Sequence, residues 1–85
     1  MNWHTLREID EELGRVKGRA FRAFKSLALH EETDFRVLHP DREPTAFQAL
    51  HRAGRIYPGT QRAILLGDAA RRQVEAILMA GPAET

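Results

Sequence analysis

Hydrophobic positions along this chain fall into short amphipathic runs punctuated by glycine and proline. Leu6, Ile9 and Leu13 recur at helical spacing and share one face of a first helix. Thr5 caps it, Glu8 three residues later completes a capping box, and Gly14 is the natural stop. Glu8, Asp10, Glu11 and Glu12 are then mostly turned outward, early in the helix where acids suit its dipole. A second helix is expected over about 17–28, with Phe21, Phe24 and Ala28 on the inner face beside Ala20 and Leu27. Gly18 is costly inside a helix, which puts it in or before the first turn.

The later elements are shorter. Phe35-Arg36-Val37-Leu38 reads as a strand closed by a turn at His39-Pro40-Asp41. Pro44 or Thr45 opens a short helix with Phe47 and Leu50, and on one reading His51, facing inward, and Gly54 ends it. Residues 55–66 read as a hairpin, with Arg55-Ile56-Tyr57 and the stretch from Gln61 to Leu66 joined by a type II turn at Pro58-Gly59. Asp68 is placed as the N-cap of a last helix that points Ala70, Val74, Ile77 and Leu78 at the core and ends at Gly81-Pro82. The fold class is α+β, one domain over 1–81 with a frayed tail at 82–85, and the short apolar faces must share one core.

Composition narrows the chemistry. At 85 residues and 42% apolar content the chain suits one small folded domain, which buries only about 60% of its unfolded surface. It has no cysteine, which excludes disulfides, thiolate metal sites and cysteine nucleophiles. His4, His30, His39 and His51 show no ligand spacing, and the acid pairs Glu31–Glu32 and Asp34–Asp41 read as solvated or capping carboxylates. Gly14 and Gly18 are isolated turn glycines, without the Gly-Lys-Ser or Gly-Lys-Thr of a phosphate loop. The expectation is a protein that is not an enzyme, holds no cofactor or metal, carries no leader or membrane span, and is cytoplasmic.

Charge changes the picture more. The formal net charge is only +1, from 13 Lys and Arg against 12 Asp and Glu. Position matters more than the sum. Arg15, Lys17, Arg19, Arg22 and Lys25 fall in one stretch free of acids, and Arg52, Arg55 and Arg62 fall in another. Such segregation focuses a positive field on one face of a nearly neutral molecule.

A helix, a glycine-centred turn and a second helix rich in outward cations suit a helix that enters the major groove of DNA. Over Leu6 to Leu27 the chain resembles the helix-turn-helix superfamily, in particular small phage- and plasmid-type regulators with a wing-like hairpin. Gly14 falls at the turn glycine, Ile9 and Leu13 on the inner face of the supporting helix, and Phe21 and Phe24 on that of the recognition helix. The resemblance implies a compact helix-turn-helix domain with a small antiparallel, winged-helix-like hairpin and a C-terminal helix. It further implies DNA contacts by Lys17, Arg19, Arg22 and Lys25, joined by Arg15 of the same block, and phosphate contacts by Arg55 or Arg62. Asp10 stands where familiar members carry a small residue, and Arg15 where they carry an apolar one. Duplex DNA is the expected partner, read for transcription regulation by a homodimer joined through Trp3 or through Ala69, Ala70, Ala76 and Ala80 of the last helix. The alternatives are an acidic protein partner for the same basic helix, or RNA.

Overall fold

The first and third helices have boundaries with local causes. The structure is a computed structural model that describes residues 2–80. A two-residue strand β1 (His4–Thr5) runs into α1 (Leu6–Glu12), where the capping box forms as expected. The Thr5 amide donates to Glu8 Oε1 at 2.9 Å and the Glu8 amide donates to Thr5 Oγ1 at 3.2 Å. Gly14, at φ 63°, ends α1 in a Schellman arrangement: its amide donates to the Glu11 carbonyl and the Arg15 amide to that of Asp10. Then follow α2 (Arg19–Ser26), β2 (Phe35–Leu38), α3 (Pro44–Arg52), β3 (Ala63–Leu66) and α4 (Asp68–Ala80). Pro44 opens α3, and Gly54 closes it with the Arg55 amide donating back to the Leu50 carbonyl.

The strands form one antiparallel sheet in the order β1-β3-β2. β3 is central and apolar on both faces, because successive side chains alternate. Leu66 joins a cluster with Ile9, Ala20, Ala23, Ala70, Val74 and Leu78 from α1, α2 and α4. Ala63 and Leu65 join Leu38, Phe47, Leu50 and Ile56 on the other face, covered by α3 and by the partly buried Trp3. The α+β class, the small sheet and the C-terminal helix are therefore present, but the apolar faces build two clusters separated by a sheet rather than one core.

Several expectations are corrected. Arg55-Ile56-Tyr57 is not a strand, because side chains take its carbonyls: Thr5 Oγ1 donates to Arg55 O, and Arg7 Nη1 to Ile56 O at 3.0 Å. The hairpin is instead β2 with β3, and α3 lies within its connection. The Pro58-Gly59 turn does form, with the Thr60 amide donating to the Tyr57 carbonyl and Gly59 at φ 83°. α2 covers 19–26 rather than 17–28, since Gly18 at φ 93° precedes it and Leu27 turns extended at ψ 145°. Lys17 thus precedes the helix. His51 is exposed, Asp68 is the first residue of α4 rather than its cap, and Ile77 is 36% exposed. Ala70 is buried and unavailable to a partner. The stop at Gly81-Pro82 and the tail at 82–85 lie outside the described residues.

The largest correction is Asp10. It is 1% exposed, not outward, and its carboxylate reaches the start of α2. Oδ1 accepts the Ala20 amide at 2.8 Å, and Oδ2 accepts the Gly18 amide at 3.1 Å and the Tyr57 hydroxyl at 2.8 Å. Gly18 has no side chain with which to cap α2, so Asp10 supplies the cap from the preceding helix. That anchor sets the rotation of α2. Ala20 and Ala23 take the buried positions, and Phe21, expected in the core, is 41% exposed.

Asp10→Ala is expected to cost about 2–4 kcal/mol in urea denaturation, because three donors lose a charged acceptor. Glu11→Ala, which breaks only an exposed pair with Arg7, is expected to stay within about 0.5 kcal/mol. Equal effects from the two substitutions would remove Asp10 from this role.

Candidate functional site

α2 turns one side to the core and the other to solvent. Ala20 and Ala23 face inward, with Phe24 half-buried and packed edge-on against Phe35 at a ring-centroid distance of 4.9 Å. Arg22 and Lys25, one turn apart, are left on the exposed side with Phe21. The Lys25 ammonium lies 5.3 Å from the centre of the Phe21 ring, a cation–π contact that restrains the lysine without neutralising it. Among the described residues, Arg22 and Arg62 have no ion-pair partner.

A groove of about 330 Å³ adjoins this face. One wall is α1, a second is the entry to α2 with Lys17, Gly18 and Phe21, and a third is the loop from Ile56 to Arg62 with the first two residues of β3. Lys17 and Arg62, far apart in sequence, both line it. Tyr57 organises the groove. Arg7 and Lys17 lie 5.2 and 5.1 Å from its ring centre, and its hydroxyl is held by Asp10. Burial, and then the hydrogen bond and charge of Asp10, push the phenol well above its ordinary range, so it stays a neutral donor.

The structure divides the sequence-predicted cations. Lys17, Arg22, Lys25 and Arg62 belong to the exposed face of α2 and the groove beside it. Arg19, at the first position of α2, is half-buried and engaged in a further contact. Arg15 donates through Nη2 to the Leu78 carbonyl at 2.9 Å, which ties the α1–α2 turn to α4. Arg55 is used internally as well. Its Nε donates to Glu8 Oε2 at 3.1 Å, and its Nη2 donates to the Trp3 carbonyl at 2.8 Å and to Glu8 Oε1 at 3.1 Å. Of the two arginines expected at phosphate, Arg55 is thus held by Glu8 and the Trp3 carbonyl, and Arg62 is exposed. Sequence reasoning also missed Asp10. The signal was present, since position 10 shares the spacing of Leu6, Ile9 and Leu13 and so falls on the inner side of α1.

A second polar cluster joins the start of the chain to α4. His4 Nε2 lies 2.7 Å from Asp68 Oδ1, and Arg71 Nη1 lies 2.8 Å from His4 Nδ1, while Arg71 also pairs with Glu12 and Glu75. Arg71 can only donate, so it approaches the Nδ1 side of the ring while Nε2 faces Asp68. No group of three or more His, Cys, Asp or Glu among the described residues is placed to hold a metal ion. No helix among them is long and apolar enough to cross a membrane.

The architecture suits a small regulatory or binding domain. Comparison with protein-family models, with curated proteins and with solved structures finds no match for the chain.

The Glu8–Arg55 pair carries a pH dependence. Burial raises the Glu8 carboxyl, but the hydrogen bonds from Arg55 and Thr5 and the Arg55 charge outweigh it, leaving the group below its ordinary 4.5. A depressed carboxyl contributes stability above its unfolded value that is lost as the pH falls through the folded value. Glu8→Gln keeps the capping box but loses the charge, and is expected to cost about 1 kcal/mol at neutral pH. That difference should shrink as denaturation is repeated below pH 4.5, the ordinary value of the group. A pH-independent difference would detach it from the Glu8 charge.

Proposed function

We propose that this chain is a small DNA-binding regulatory protein that lays the exposed side of α2 in the major groove. Arg22 and Lys25 face the base edges, and Lys17 and Arg62 meet the flanking phosphates. The supporting observation is that Arg22 and Lys25 lie on the exposed side of α2 and Lys17 and Arg62 line the groove that Phe21 of the same helix borders, while Arg15 and Arg55 are used internally. An arginine without an internal partner can offer two parallel bonds to guanine. Phosphate neutralisation supplies the sequence-independent part of the affinity. An eight-residue helix covers few base pairs, so a symmetric pair of chains reading two half-sites completes the reading.

Titration of a pool of labelled duplex fragments at about 50 and 200 mM salt tests this. Binding in the nanomolar to low-micromolar range that weakens steeply with salt is expected. Arg22→Ala should weaken it by about tenfold or more with the melting temperature unchanged, since Arg22 holds nothing inside the fold. No fragment bound at the lower salt would overturn the reading. Tighter binding to single-stranded RNA in competition would move the same cations to RNA.

A further inference from the structure

The groove beside α2 has a composition that DNA contact alone does not require. Its base is apolar, with Ile56 and Ala63 buried there and Leu6 and Ile64 half-buried. The Phe21 ring stands beside it, stacked on Phe24 at a centroid distance of 6.4 Å yet still 41% exposed, so part of its surface is open to an incoming group. Positive charge is added by Lys17 and Arg62, neither paired with a carboxylate among the described residues. The one buried carboxylate on the wall, Asp10, already accepts from Gly18, Ala20 and Tyr57, and so it offers an incoming group no spare strong acceptor.

We propose that this groove is a binding site for a small ligand made of a planar aromatic ring joined to one anionic group. The ring lies on the apolar base against Phe21, and the anion meets the Lys17 ammonium and the Arg62 guanidinium. The volume of about 330 Å³ lies at the lower end of small-molecule sites and suits one ring with its substituent. Mostly apolar lining with a few convergent polar groups is the usual make-up of such sites. Charge complementarity selects the anion, and the exposed aromatic selects the ring. The site is pre-formed. Tyr57 is fixed at both ends, by the Asp10 hydrogen bond and by the turn in which Thr60 N and Oγ1 both donate to its carbonyl, and its ring holds Lys17 in place. The chemistry is shared by aromatic carboxylates and mononucleotides, and occupancy withdraws Lys17 and Arg62 from any other anion.

The test is amide chemical-shift mapping of the full chain, without DNA, so that its outcome is independent of the DNA reading. Benzoate and thymidine 5′-monophosphate are the probes, and benzamide and acetate are the controls, lacking the charge and the ring respectively. Saturable shifts at Gly18, Phe21, Gly59 and Thr60 are expected with at least one probe, with affinity roughly tenfold or more above both controls. The better probe tells a free carboxylate from a nucleotide. Lys17→Gln and Arg62→Gln, both on exposed residues, should each weaken that binding about fivefold with the spectrum otherwise native. Shifts that fail to saturate, that scatter over the surface, or that benzamide reproduces at equal affinity would overturn the proposal.

Discussion

A single buried carboxylate joins three segments of this molecule. Asp10 is almost without solvent contact, and a charge in that position persists only when strong donors surround it. Two donors are amides at the entry to α2, and the third is the Tyr57 hydroxyl from the loop before β3. One side chain therefore joins α1, α2 and that loop. The rotation of α2 follows, with Ala20 and Ala23 against Val74 and Leu78, and with Arg22 and Lys25 turned to solvent. The groove follows too, because its walls are the three segments that Asp10 connects. An aliphatic residue at this position would leave α2 uncapped, since Gly18 brings no side chain to its own helix.

Features set by near neighbours were legible in the sequence. The Thr5–Glu8 capping box, the glycine stops at Gly14 and Gly54, the Pro44 start and the Pro58-Gly59 turn each depend on residues a few positions apart. Features set by distant partners were not. β1 is two residues long and exists because β3 offers it an edge, and the Thr5 hydroxyl and Arg7 guanidinium divert residues 55–57 from the sheet. Phe21 is expected in the core from its helical spacing with Phe24 and Ala28, whereas the anchor at Asp10 gives the buried positions of α2 to two alanines. Small residues there let α2 lie close to α4, which hydrophobicity alone does not reveal.

The candidate site divides in the same way. Clustering of cations between Arg15 and Lys25 was visible, but which of them remain available was not, because that depends on acceptors far along the chain. Arg15 finds the last turn of α4, and Arg55 finds the start of α1. The net charge of +1 conceals this sorting. Cations that hold the fold and cations that face solvent are chemically alike, and only their partners separate them.

That separation is the central claim, and for the proposed DNA binding the salt dependence of duplex affinity tests it most directly. The slope of log affinity against log salt counts released counterions, at about 0.9 per phosphate neutralised on each chain. Arg62→Ala should lower the slope by about that amount per chain and leave thermal stability unchanged. Arg55→Ala should leave the slope unchanged and lower the melting temperature by several degrees, about 1 kcal/mol in a domain of this size. An Arg55→Ala slope that falls as far as that of Arg62→Ala, with no loss of stability, would contradict the account.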